Sequence, residues 1–220
     1  MAGPNEYLTV TEDSVGEIIE KKSRFIALLH HVESEEEALE FINNVKKEHW
    51  DARHNCFAYV IGTGLPAERA NDDGEPSRTA GLPILESIKA AGLTNVCIVV
   101  TRYFGGILLG TGPLAKAYRD ASKAAVDNAS VVRMRCLKNV VITADYDSYG
   151  KLRYEADRLS LKVIDTQFSD KVLVRMALDE SEAGHMTAFM NELSRGNCNV
   201  TEDGEIWVRE LTTLSSSDKL

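Results

Sequence analysis

The stretch of residues 95–125, NVCIVVTRYFGGILLGTGPLAKAYRDASKAA, constrains the fold most strongly, because it predicts a strand, a glycine-rich loop and a helix in succession. The apolar, β-branched residues 96–100 predict a buried strand, and the small and apolar residues after Pro113 follow helical spacing. Glycine lets a ligand approach the backbone closely, and a helix start offers free N–H groups. The stretch therefore predicts an anion site, although glycines that only let two segments pack tightly fit the pattern as well.

Two phosphate-binding motifs are excluded here. Gly105 and Gly110 satisfy the first half of a P-loop, but Thr111 and Gly112 follow where the motif requires a lysine and a hydroxyl residue. Residues 110–115 read GTGPLA and match G-x-G-x-x-A, yet they do not follow their strand directly. No acidic residue ends a second strand where a dinucleotide fold places its ribose contact. The segment is thus neither a P-loop nor a dinucleotide fingerprint.

Charge and cysteine usage set further limits. The net charge is −9, with 15 basic against 19 acidic residues in 1–135 and 10 against 15 in 136–220. Neither half is basic, which counts against avid, nonspecific binding of nucleic acid. The four cysteines form no C-x-x-C pair, so we expect no catalytic metal and no cofactor. No signal-peptide pattern and no membrane-length apolar run occur, so we expect a cytoplasmic protein that does not contact a membrane.

Residues 136–220 follow the order strand, helix, strand, strand, helix, strand, which is the ferredoxin-like βαββαβ pattern. We therefore predict two domains, residues 1–135 and residues 136–220. The second half offers no catalytic constellation. A small α+β module of this kind more often binds than reacts.

The first half contains two further polar segments. Residues 51–55, DARHN, precede a predicted strand at residues 56–62, which places His54 and Cys56 on one face. A Cys–His nucleophile pair and a buried cysteine beside a hydrogen-bonding histidine are the two interpretations. Residues 63–81 form a long polar loop whose carboxylates either remain solvated, pair with arginines, or bind a hard cation. Thr79 is predicted to be the N-cap of the next helix.

Four segments resemble the Impact/YigZ family: KKSRFIA (residues 21–27), DARHNCFAYV (51–60), NDDGEPSRTAGLPIL (71–85) and VVTRYFGGILLGTGPLAKAY (99–118). The resemblance implies an α+β protein of two domains. The first would be an α/β sandwich like domain IV of elongation factor G, which is ribosomal-protein-like, and the second a ferredoxin-like domain like its domain V. Pro113, Lys116 and Arg78 depart from the family pattern, which has glycine, often arginine, and a small residue at these places.

The family's eukaryotic members carry this domain on a regulator of translation initiation under amino-acid stress. The resemblance therefore implies a binding protein that contacts RNA, the ribosome, another phosphate-bearing ligand or a protein of the translation machinery. The alternative is a hydrolase-like small-molecule enzyme that uses His54, Asp73 and Glu75. The predicted binding residues are Arg53, His54, Asp73, Glu75, Thr79, Arg102, Tyr103, Gly105, Gly106, Gly110, Thr111, Gly112 and Lys116.

Overall fold

A computed structural model describes residues 5–194 and 198–210 of the chain. Within these residues the chain divides into two compact units: residues 5–134 with Glu210, and Arg135–Arg209. The chain passes from the first unit to the second inside a β-strand. The domain limits expected from the sequence, 1–135 and 136–220, remain a prediction about which parts fold independently. No helix in the described part of the chain is long and apolar enough to cross a membrane.

The first unit is built on an antiparallel sheet of five strands in the order β2-β3-β6-β4-β5. Its elements are β1 (Glu6–Val10), β2 (Ser14–Glu20), β3 (Ser23–His31), α1 (Glu35–Glu48), β4 (His54–Ile61), β5 (Ala67–Asn71), α2 (Gly81–Ala90), β6 (Val96–Tyr103) and α3 (Thr111–Asp127).

Strand β6 lies at the centre of this sheet and is buried on both faces. Its alternate residues Val96, Ile98 and Val100 pack in the core that contains residues of α2 and α3. Cys97 and Val99 point to the opposite face, where the residues of α1 pack. Helices on both faces explain why β6 reads as a continuous apolar run rather than an alternating one.

The predicted strand, loop and helix at residues 95–125 are confirmed as β6, the glycine loop (residues 104–110) and α3. Two strands were missed by the sequence analysis. Strand β1 lies in a segment without a strong apolar pattern, and β5, whose five residues are all exposed, lies within the predicted polar loop. Edge strands of this kind carry little hydrophobic signal, so their pairing with neighbours decides their structure.

The second unit confirms the predicted βαββαβ order. Its sheet has the order β10-β7-β9-β8, which is the ferredoxin-like arrangement, and β7, whose residues 131–134 belong to the first unit, also pairs with β1. The elements are β7 (Val131–Ala144), α4 (Tyr146–Arg158), β8 (Lys162–Phe168), β9 (Val172–Leu178), α5 (Glu180–Ser194) and β10 (Asn199–Arg209).

A buried carboxylate joins the two helices of the second unit. Glu155 on α4 accepts two hydrogen bonds from Arg158, at 2.6 and 2.8 Å, and one from Nε2 of His185 on α5, at 2.9 Å. The bonds from Arg158, followed by the bond from His185, lower the pKa of Glu155 from 4.5 to about 2. The folded unit therefore favours the ionised form of Glu155.

We expect the substitution Glu155→Gln to destabilise the second unit only above acidic pH. A folded-state pKa below the unfolded value contributes stability that is present above pH 4.5 and is lost as the pH falls towards about 2. Hydrogen exchange of the α4 and α5 amides, compared between the two proteins at several pH values, measures this. Asp157→Asn, which breaks the exposed pair with Arg153 on the same helix, is the control and should have little effect. Equal losses for Glu155→Gln at pH 3 and pH 6 would contradict the assignment.

Candidate binding site

Three acidic side chains of the loop after β5, Asp72, Asp73 and Glu75, form hydrogen bonds with neighbouring elements. Asp72 caps the start of α2: its Oδ1 accepts hydrogen bonds from the amides of Ala80 and Gly81, both at 2.9 Å. Its Oδ2 accepts a bond from the amide of Arg78, at 2.7 Å. The predicted N-cap role of Thr79 is therefore wrong. Ala80 is the N-cap residue, and the Thr79 hydroxyl donates to the carbonyl of Pro76 instead.

Asp73 connects the loop to α1 and β4. Its carboxylate accepts a hydrogen bond from Lys46, at 2.7 Å, and another from the amide of Asn55, at 2.8 Å. Its carbonyl oxygen is 2.9 Å from Nδ1 of His54. A carbonyl only accepts, so Nδ1 carries the proton and the neutral His54 ring presents an unprotonated Nε2.

Only 4% of the Glu75 side chain is exposed, against 25% for Asp73. Its Oε1 accepts hydrogen bonds from Nη1 of Arg102 and from the hydroxyl of Tyr118, both at 2.7 Å. Nε2 of His54 lies 4.0 Å from Oε2. Of the alternatives left open for the loop carboxylates, Glu75 shows pairing with an arginine, and Arg102 is its partner.

Arg102 contacts two aromatic rings. Its Cζ lies 5.4 Å from the ring centroid of Phe25 and 5.6 Å from that of Phe104, and 8% of its side chain is exposed. Within the described residues its Nε is buried without a hydrogen-bond partner. Glu75 already neutralises the guanidinium, so Arg102 supports Phe104 at the start of the glycine loop rather than offering a free charge.

Cys56 and His54 do not form a nucleophile pair. The Cys56 thiol donates to the carbonyl of Asp72, at 3.0 Å, and its Sγ lies 3.3 Å from the hydroxyl oxygen of Tyr118. Burial raises the pKa of Cys56 far above its usual range, so the thiol remains protonated. Of the two interpretations of this pair, the structure supports a buried cysteine beside a hydrogen-bonding histidine.

The glycine loop and the start of α3 are open to solvent. In this loop, 45% of Phe104 and 84% of Leu108 are exposed. Gly110 is the N-cap of α3 and supplies no side-chain hydrogen bond, and the first bond inside the helix runs from the Leu114 amide to the Gly110 carbonyl. A Cβ on Gly112 would meet nothing within 4 Å. The start of α3 is therefore exposed, and the anion site expected from the sequence remains a prediction.

The predicted binding residues divide into groups in the structure. His54, Asp73, Glu75 and Arg102 form one polar cluster beneath the glycine loop, which contains Gly105, Gly106 and Gly110. Thr111, Gly112 and Lys116 lie on the exposed first turns of α3, and Lys116 pairs with Asp120. Arg53 is exposed, Thr79 is buried, and the Tyr103 hydroxyl bonds His49 and Asp51.

Tyr118 and Lys46 belong to the polar cluster but are not among the predicted binding residues. Tyr118 follows the helical spacing of the small and apolar residues after Pro113, and this spacing does not indicate that its hydroxyl reaches Glu75. Within residues 5–194 and 198–210, no three histidine, cysteine, aspartate or glutamate side chains come together in a way that could hold a metal ion.

Two of the residues that we expect to depart from the family pattern occupy defined backbone positions. Arg78 adopts a left-handed backbone with φ of 65°, a conformation that glycine adopts without a steric penalty. Pro113 lies in the first turn of α3, where its missing N–H removes no hydrogen bond.

The fold and the site together define a class: a two-domain α+β protein whose first domain presents an exposed glycine loop over a closed polar cluster. The family model for the Impact N-terminal domain matches residues 21–126, and the model for a domain of unknown function, DUF1949, matches residues 142–197. The chain belongs to the IMPACT family.

Full-length relatives support this assignment. The chain is 41% identical to the IMPACT family member YvyE of Bacillus subtilis over 92% of this chain and 93% of that protein. It is 36% identical to YigZ of Escherichia coli over 80% and 88% of the two chains. A crystal structure of a hypothetical protein superposes with a TM-score of 0.61 at 33% identity, covering 89% of this chain and 96% of the other.

Proposed function

We propose that this chain is a regulatory binding protein that docks on a phosphate-bearing partner in the translation machinery, RNA or the ribosome. The observation that carries the proposal is the open start of α3. Its first turn is exposed, lacks a side-chain cap, and is approached across glycines. Free amides at a helix start and the positive end of the helix dipole favour phosphate oxygens. The link to translation rests on the family resemblance of the sequence.

The helix start needs additional charge to hold such a partner. A helix dipole contributes about 0.3–1 kcal/mol at an exposed site, which is too little for a stable complex. Lys116 is the basic residue of α3 that lies nearest in sequence to the helix start. Its pair with Asp120 is exposed on the surface. Exposed pairs contribute little net free energy in water, so Lys116 is available to exchange Asp120 for a phosphate. Arg102 contributes indirectly, by fixing the loop through Glu75.

We expect Lys116→Gln to lower the affinity for single-stranded RNA. The slope of log affinity against log salt concentration (the salt slope) should become smaller in magnitude by about 0.7. Lys123→Gln is the matched control, because Lys123 pairs with Asp127 on the same helix with the same spacing and the same 2.5 Å distance as the pair of Lys116. Fluorescence anisotropy with labelled RNA at two salt concentrations measures both effects. The substitution Gly112→Ala adds a methyl group that has no protein atom within 4 Å. It should also weaken binding without loss of thermal stability.

The proposal fails if the wild-type protein binds neither RNA nor ribosomes at low salt. It also fails if Lys116→Gln and Lys123→Gln change affinity equally, because the effect would then be one of net charge and not of the helix start.

A second candidate, a hydrolase-like enzyme, is favoured by one observation. His54 is oriented by the Asp73 carbonyl and directs Nε2 towards the buried Glu75 carboxylate, at 4.0 Å. This distance is longer than a hydrogen bond, and Glu75 already accepts bonds from Arg102 and Tyr118. Turnover of ester or peptide substrates that His54→Gln abolishes, in a folded protein, would establish this candidate. Equal background rates for both proteins would exclude it for those substrates.

A further inference from the structure

The turn between β2 and β3 has an unusual backbone. Glu20 pairs with Ser23, so Lys21 and Lys22 are the two central residues of a two-residue hairpin loop. Both adopt left-handed conformations, with φ of 45° and 68°. Such a turn normally uses Asn-Gly, and a lysine in this conformation costs about 1–2 kcal/mol. Strain of this kind often accompanies function.

The glycine loop packs directly against this turn. A Cβ on Gly105 would lie 2.0 Å from the carbonyl carbon of Lys22, so only glycine fits there. The Gly105 amide donates to the hydroxyl of Ser23, at 3.2 Å. The turn and the loop are thus held together, and the backbone of Lys22 lies against Gly105, which directly follows Phe104.

The two lysines differ from the cations around them. Arg24 pairs with Glu17, and Lys116 pairs with Asp120. Lys21 and Lys22 are exposed, and no salt bridge joins either of them to another residue of the described chain. Their charge is therefore available to a partner.

Phe104 supplies an aromatic surface next to this charge. One face of its ring is covered by Arg102, which Glu75 holds in place, and 45% of the residue remains exposed. A fixed aromatic ring beside free lysines is the combination by which proteins bind single-stranded nucleic acid: bases stack on the ring and phosphates contact the cations. An acidic protein segment would use the lysines but would gain nothing from the ring.

We propose that Phe104 and the turn of Lys21 and Lys22 form a subsite for single-stranded RNA, in which a base stacks on Phe104 and adjacent phosphates bind the two lysines. This inference rests on the proposed function and extends its surface from the start of α3 to the hairpin turn. The strained turn places the two charges, and Gly105 fixes their position relative to the ring.

The test uses the full chain and a labelled single-stranded RNA of about twelve nucleotides, within the site sizes typical of such proteins. The double substitution Lys21→Asn and Lys22→Gly removes both charges while supplying the sequence that the turn prefers. We expect this variant to melt at a higher temperature than wild type and to lose about 1.4 from the magnitude of the salt slope. Lys47→Gln with Lys151→Gln removes the same charge from exposed helix positions and should leave the slope unchanged.

Phe104→Leu preserves apolar volume and removes the aromatic face. Stacking contributes about 1–3 kcal/mol per base, so we expect RNA affinity to fall about 5- to 150-fold. Competition by poly-glutamate that is as effective as unlabelled RNA would overturn the inference, since the ring would then be irrelevant. If wild type binds RNA and Lys116→Gln weakens it while the hairpin and Phe104 variants bind normally, this inference fails and the proposed function stands. Absence of RNA binding by wild type overturns both.

Discussion

The substitution Glu75→Leu is expected to lower the free energy of unfolding by about 3–5 kcal/mol, the largest effect that we predict for a single change. It leaves the buried guanidinium of Arg102 without its counter-charge and the Tyr118 hydroxyl without its acceptor. Breaking a buried ion pair is costly because the remaining charge stays in a medium that solvates it poorly. Urea unfolding followed by circular dichroism measures the change.

The double variant Glu75→Leu with Arg102→Leu separates the ion pair from simple packing. We expect it to be more stable than Glu75→Leu alone, since no unpaired charge is left buried. Glu86→Gln, which breaks the exposed pair with Arg119, is the surface control and should cost less than about 1 kcal/mol. A loss for Glu75→Leu no larger than that of the control would show that the polar cluster does not stabilise the first unit.

The substitution Gly105→Ala is expected to destabilise the first unit by about 2–3 kcal/mol and to weaken RNA binding with it. The added methyl group would overlap the backbone of Lys22 and Ser23, and main-chain atoms cannot move aside as the end of a side chain can. The loop and the hairpin turn would separate, which moves Phe104 away from the lysines. Thermal unfolding and RNA anisotropy on the same sample test both consequences.

Gly112→Ala is the matched comparison for stability. It adds the same methyl group to a glycine seven positions later in the chain, where nothing lies within 4 Å. We therefore expect no loss of melting temperature for Gly112→Ala. If Gly105→Ala and Gly112→Ala both have the melting temperature of wild type, close packing of the loop against the turn does not contribute to stability.

Local pattern predicted much of this fold. The continuous apolar run of β6, the small-residue spacing of α3 and the βαββαβ order of the second unit are all encoded by neighbouring residues. Ser34 and Glu37 have the spacing of a capping box, and the Ser34 hydroxyl accepts a hydrogen bond from the Glu37 amide at the start of α1.

The polar cluster could not be predicted from local sequence patterns, because its hydrogen bonds join residues far apart in the chain. Asp72 caps a helix that begins nine positions later, and Glu75 meets Arg102 and Tyr118 only after the sheet and α3 have assembled. The strain at Lys21 and Lys22 is hidden for a different reason: the usual Asn-Gly signal is missing, and only the strand register shows that both lysines must be left-handed.

The salt dependence of single-stranded RNA binding by the wild-type protein tests the central claim most directly. Lys21, Lys22 and Lys116 are the three cations that we assign to phosphate, and each contact contributes about −0.7 to the slope of log affinity against log salt. We predict binding at low salt with a slope of about −2. Failure to bind RNA at low salt, or binding whose affinity does not change with salt, would contradict the account.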